Sequence, residues 1–142
     1  MRTHATDSVV VLDAMRAHVS DSDVQEEGCR IVCFLALKAD NKVQIAREGG
    51  IAVVLEAMRA HVSHSGVQEQ GCWALRNLAL KADDNKVQIA REGGTAVVLE
   101  AMRVHVSHSG VQSEGCGALR NLAYNDDNKV QIAREGGIAV VL

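Results

Sequence analysis

The chain has 142 residues, 47% of them apolar, with only three aromatics, twelve Gly, no Pro and a formal net charge of -3. That is enough apolar material for a packed core, and no apolar run approaches the roughly 18 residues of a membrane span. A mildly acidic chain has no bulk attraction for phosphate backbones, and three aromatics are too few for a base-stacking platform, so nucleic acid is not an expected partner.

In chain order, the first predicted element is a helix over Ser8–Val19. The string Asn-Lys-Val-Gln-Ile-Ala-Arg-Glu-Gly-Gly then occurs at Asn41–Gly50, Asn85–Gly94 and Asn128–Gly137, in steps of 44 and 43 residues. Met15, Met58 and Met102 keep the same period, as do Cys29, Cys72 and Cys116. Gly49–Ala79 and Gly93–Ala123 are identical at 26 of 31 positions. A period in this range belongs to helical solenoids or to β-propeller blades, and the apolar spacing here is helical.

Each unit reads as three helices. In the best-defined unit the first covers Asn85–Arg91, with Asp84 or Asn85 as its cap. Gly93-Gly94 ends it, because Gly turns the chain through φ > 0 without steric cost. Thr95–His105 is amphipathic, with Val98, Leu99 and Met102 spaced by three and four. A loop at Ser107–Gly110 leads to a third helix over Val111–Tyr124. Gly28, Gly71 and Gly115 share one column inside the third helices, which predicts close approach of a neighbouring helix. The last residues, Ile138–Leu142, read as the start of another second helix. Single-domain units over 8–38, 39–82, 83–126 and a partial 127–142 follow, with neither end carrying a polar cap. Such ends suggest either a longer array or closure by self-association.

A short hinged helix followed by two longer ones resembles the armadillo repeat. Gly93-Gly94 with Ala-Val-Val-Leu, and Trp73-Ala-Leu-Arg-Asn-Leu-Ala at 73–79, carry the likeness. Armadillo repeats usually place Pro at the start of the second helix; this chain has none. HEAT repeats, with two helices per unit, are the runner-up. The resemblance implies an all-α, right-handed superhelical solenoid of about three repeats without dedicated caps. It also implies a concave groove lined by third helices. Trp-x-x-x-Asn is similar to the pattern of nuclear-import adaptors, where the Asn holds an extended peptide backbone and the Trp builds side-chain pockets. Trp73 and Asn77 match it. The third unit has Asn121 but Gly117 for Trp, and the first has Arg30 and Phe34 in these columns.

Five positions differ between the second and third units in the matched segment, and Glu69 and Trp73 lie among them, continuing toward Asn77 in one helical stripe. A shared scaffold with variable exposed side chains suits a binding array, whereas drift at exposed positions gives the same pattern. Arg76, Arg120 and Arg30 border the stripe and can fork onto carboxylates, which points to an acidic peptide; pairing with a local Glu is the equal alternative. The expected peptide-binding set is therefore Trp73, Asn77, Asn121, Arg76, Arg120, Glu69, Arg30 and Phe34.

The His61/His64 and His105/His108 pairs offer two ligands each, short of a zinc site, and are expected on loop surface. The repeated Asp83-Asp84 and Asp126-Asp127 pairs read as helix caps. The Cys residues fall in buried columns, and with no export-like leader a disulfide framework is not expected. No phosphate loop or nucleophile-base constellation is present. The sequence thus predicts a non-enzymatic protein or peptide scaffold without metal or cofactor, cytoplasmic or nuclear. Self-assembly through uncapped ends, or a consensus-designed array, is the alternative.

Overall fold

A computed structural model describes residues 4–136, and Ile138–Leu142 lie outside them. Regular structure among the described residues is entirely α-helical: α1 His4–Ala17, α2 Ser22–Leu35, α3 Ala39–Arg47, α4 Gly50–Ala60, α5 Ser65–Ala79, α6 Asp83–Arg91, α7 Gly94–Val104, α8 Ser109–Leu122 and α9 Asp126–Arg134. Helices at equivalent places in the sequence repeat pack on one another. The most extensive contacts join α2 to α5 and α5 to α8; α4 also meets α7, and α6 meets both α3 and α9. One contiguous core of Leu, Ile, Val, Met, Ala and Cys runs through the helices, with Leu12, Leu55 and Leu99 fully buried in one column.

Two glycine columns set this packing. Gly49, Gly93 and Gly136 have φ of 80°, 86° and 87°, the left-handed region that reverses the chain between a short helix and the next long one. Gly28, Gly71 and Gly115 face Met15, Met58 and Met102. A Cβ at Gly71 would fall 2.5 Å from Met58 Cγ, so each Met side chain occupies the space that an Ala would take. The expected close approach is thus a knob of Met in a notch of Gly.

Short helices have many ends, and the four last carbonyls of each lack intrahelical partners. Long donor side chains meet that need. Gln68 Nε2 donates to Met58 O at 3.0 Å and to His61 O at 2.7 Å, closing the end of α4; Gln25 and Gln112 do the same for α1 and α7. Arg16, Arg59 and Arg103 each donate through Nη2 to a Glu carbonyl beyond the end of α3, α6 and α9, at 2.6, 2.7 and 2.8 Å. Buried Asn85 donates to Leu78 O at 2.9 Å and to Lys42 O at 3.2 Å, joining three helices. Asn128 repeats the pattern with Leu122 O and Lys86 O.

Several local expectations need correction. The third helix expected from Val111 starts earlier, at Ser109, and its counterpart α5 starts at Ser65, so Gly66 and Gly110 are helical. Their caps are His64 and His108, whose Nδ1 atoms accept the Val67 and Val111 N–H groups at 3.1 Å. His61 Nε2 donates to Val19 O at 2.6 Å and His105 Nε2 to Val62 O at 2.8 Å, tying each loop to the preceding one. These His therefore do structural work at helix ends. Asp83 and Asp84 are not caps of α6: Ala82 holds that place without a side-chain bond, and the acids lie in the first turn, where they face the positive end of the helix dipole. Asn125 caps α9 through the Asn128 N–H. The one 44-residue step of the Asn column comes from an extra residue between α5 and α6, taken up by Lys81 at φ 55°.

Gly93→Ala forces a Cβ into the left-handed region and against Arg59. It is expected to lower unfolding free energy by about 1–2 kcal/mol in urea denaturation.

Candidate functional site

The stacked helices α2, α5 and α8 present one continuous strip, and the structure distributes the expected site residues along it unequally. Phe34 is 55% exposed and Trp73 half-buried. Their rings meet edge to face, with centroids 5.8 Å apart and planes at 67°. This pair, contributed by successive third helices, forms an apolar platform. Arg30 lies on α2, paired with Glu27 at 2.6 Å and Glu26 at 3.4 Å. Arg76 crosses from α5 to α8, where its Nη1 meets Glu114 Oε1 at 2.9 Å. Arg120 is exposed and has no carboxylate partner among the described residues. The local-pairing alternative therefore describes Arg30 and Arg76, and leaves Arg120 available.

Asn77 and Asn121 are buried rather than open. Asn77 Nδ2 donates to Cys33 O at 3.0 Å, and Asn121 Nδ2 to Arg76 O at 2.8 Å. Each amide uses one N–H to bind the backbone of the preceding third helix. The peptide unit it grips in this structure is one of the protein's own.

The Trp73/Gly117 difference has a steric cause that the stripe comparison could not reveal. A Cβ at Gly117 would fall 2.6 Å from Arg76 Cδ, because Arg76 lies across that position. One unit earlier the residue in the Arg76 column is Cys33, a small side chain, and the facing position holds Trp73. Large faces small in both interfaces. The ionic partner follows: Arg76 meets Glu114, whereas Cys33 Sγ meets Gln70 O at 3.4 Å and Gln70 stands in the Glu114 column. Glu69 is similarly committed. A Cβ at Gly110 would fall 2.5 Å from its carboxyl carbon, which places this acid over the first turn of α8, and His108 Nε2 lies 4.0 Å from Glu69 Oε1.

Cys29, Cys33 and Cys72 are buried free thiols, but Cys116 is exposed, a departure from the expected buried column. Burial pushes the Cys29 thiol up to about 12, and raises Cys33 and Cys72 as well. A feature that sequence reasoning missed is the burial of Lys42 and Lys86. Lys42 Nζ donates to Leu80 O at 2.7 Å, closing the end of α5, and desolvation there, with repulsion from Lys86 and Lys81, lowers its pKa. The repeated Asn-Lys at the start of the short helices was the available signal, though Lys129 in the last copy is exposed. Clefts of about 340 and 320 Å³ lie away from the strip, between α1 and α4 and between α4 and α7.

The family model of the armadillo/beta-catenin-like repeat matches residues 38–80. That segment is similar to an armadillo repeat. The matched segment covers α3, α4 and α5, including the Gly49 turn, the Gly71 notch, Trp73 and Asn77. No curated protein and no solved structure shows significant similarity to the chain. Armadillo repeats commonly serve as protein-interaction scaffolds, and no helix among the described residues is long and apolar enough to cross a membrane.

Two outcomes follow from this geometry. Gly117→Trp alone is expected to cost about 1–3 kcal/mol by overpacking against Arg76. Adding Arg76→Cys and Glu114→Gln, which copies the α2–α5 interface onto α5–α8, should recover most of that loss in urea denaturation. In thiol labelling of the native chain at neutral pH, Cys116 should react rapidly. Cys29, Cys33 and Cys72 should stay slow up to pH 9, because their raised pKa values leave almost no thiolate there.

Proposed function

We propose that the chain forms a single right-handed armadillo-type superhelical solenoid of about three repeats. In this reading it acts as a non-enzymatic scaffold that holds an extended peptide along the strip of α2, α5 and α8. The observation that carries it is the Phe34–Trp73 pair, an aromatic platform left partly open on the face where the third helices line up. Large aromatic side chains on an otherwise aromatic-poor protein supply binding area at low entropic cost. Arg120 offers a guanidinium at the far end of the strip, and Arg30 can exchange the exposed carboxylate of Glu27 for that of a ligand, since such surface pairs are weak. An acidic peptide with an apolar or aromatic residue is the class that this arrangement suits.

Asn77 and Asn121 enter this reading differently from the surface clamps. Each has a second N–H and a carbonyl oxygen beyond the bond it makes to the neighbouring helix. They would hold a peptide while continuing to tie the third helices together. Glu69 contributes by keeping α8 in place, and its negative charge limits the acidic register to the Arg76–Arg120 end. Four free thiols suit a reducing compartment, the cytoplasm or nucleus.

The test is a screen of acidic peptides carrying one aromatic residue, read by the fluorescence of the single Trp73. Trp73→Ala and Phe34→Ala, followed by anisotropy of a labelled peptide, should each weaken binding by about tenfold or more. Arg120→Ala should weaken binding less, with a steeper dependence on salt lost in the variant. Absence of any binder, or binders indifferent to both aromatic substitutions, would show that the strip is not a peptide site.

A further inference from the structure

We infer that the outward face of the short helices α3, α6 and α9 pairs with the same face of a second copy of the chain, about a two-fold axis over α6. This inference is independent of the peptide reading, because no residue of the α2–α5–α8 strip takes part. Each short helix carries Asp, Val and Arg at positions i, i+3 and i+7: Asp40, Val43 and Arg47, then Asp84, Val87 and Arg91, then Asp127, Val130 and Arg134. That spacing places all three side chains on one side of a helix. The six charged residues are exposed, Val43 is 48% and Val130 50% exposed, and Val87 is half-buried. Because α6 packs against both α3 and α9, the face runs across the units of the stack and does not belong to one end of it.

The charges on this face are unspent. Asp40, Asp84, Asp127, Arg47, Arg91 and Arg134 make no ion pair or side-chain hydrogen bond among the described residues. Their neighbours do: Asp83 and Asp126 meet Lys86 and Lys129 at 3.4 Å, and Arg16, Arg59 and Arg103 bond carbonyls. Arg91, Arg134 and Asp127 line a cleft of about 390 Å³ between α6 and α9 with no ion pair across it. The helix dipole accounts for acid in the first turn and base in the last. It does not account for a valine left open between them on the same side. The set is also identical in all three copies, whereas the column of Arg30, Trp73 and Gly117 on the third helices differs in each.

Such a face is complementary to itself. Asp and Arg lie about 10 Å apart along each helix axis, with Val close to midway. A helix of the same sequence laid antiparallel sets Arg against Asp at both ends and Val on Val between them; laid parallel, it sets like charges together. With the axis over α6 near Val87, Asp84 of each copy meets Arg91 of the other. The same rotation brings α3 onto α9 of the other copy, so that Asp40 faces Arg134 and Arg47 faces Asp127. The valines form an apolar middle and the ion pairs a polar rim, the usual division of a protein interface. One surface serves both copies, so the contact is isologous and closes at two.

Sedimentation velocity of the full chain from micromolar to millimolar concentration should show monomer and dimer and nothing longer, with the dimer weakened by added salt. Arg91→Glu leaves two acids on α6 and Asp84→Arg leaves two bases, so each variant repels its own copy at the axis. Each, with its helicity checked by circular dichroism, should dimerise about tenfold or more weakly than the unsubstituted chain. An equimolar mixture of the two should recover dimerisation as a heterodimer, because acid again meets base at both ends of α6. A strictly monomeric chain across the range, species that grow beyond a dimer, association that neither substitution weakens, or a mixture no tighter than either variant alone would each overturn the inference.

Discussion

Every other feature of this protein depends on how it satisfies the ends of its helices. Helices of 9 to 15 residues leave a large fraction of their carbonyls without intrahelical partners. A buried unpaired carbonyl costs free energy comparable to a lost hydrogen bond. The chain places Gln, Arg, Asn and Lys where these ends converge, and each donor reaches a carbonyl on another helix. Because Arg16, Arg59 and Arg103 bond across about 32 residues, and Asn85 and Asn128 across about 43, closing one helix also fixes the position of its neighbour. The ladders therefore set the geometry between units as well as within them, and the apolar core fills the frame they define.

The third helices show how this frame restricts sequence change. Positions that vary between copies would read as ligand-facing, since they share one stripe. Several of them vary because their counterparts across the interface vary. Trp73 faces a column holding Cys33, Gly117 faces Arg76, and Glu114 answers Arg76 where Gln70 accompanies Cys33. Close-packed interfaces transmit a change in volume or charge to the next helix, so substitutions arrive in matched sets. What remains for recognition is the part of the strip not consumed by this matching: the Phe34–Trp73 platform and the exposed end at Arg120.

Much of the candidate site was legible as a list of residues and little of it as an arrangement. Trp73 and Phe34 could be named from their columns, but their contact comes from the offset between successive third helices, which no spacing within one helix contains. Asn77 and Asn121 looked like surface clamps because i, i+4 geometry places them beside Trp73 and Gly117; burial by the preceding helix turned them inward. The His pairs read as loop surface, and the structure makes them caps and ties, since the α5 and α8 helices start two residues earlier than the apolar periodicity indicates. Polar residues at helix starts carry no period by which to place them.

By itself, the sequence determined the helical class, the glycine hinges, the column of packing glycines and the period, because all of these are local or repeat at a constant step. The left-handed turn at Gly93 needs only that residue, and an apolar stripe needs only one helix. The tertiary structure alone decided which polar side chains close which helix ends, and which members of the variable stripe are spent on neighbouring units. It also decided which faces remain uncovered. These depend on distances of a few ångströms between side chains about 43 residues apart, where a hydrogen bond or a steric overlap is made or lost, and no pattern along a single copy encodes them.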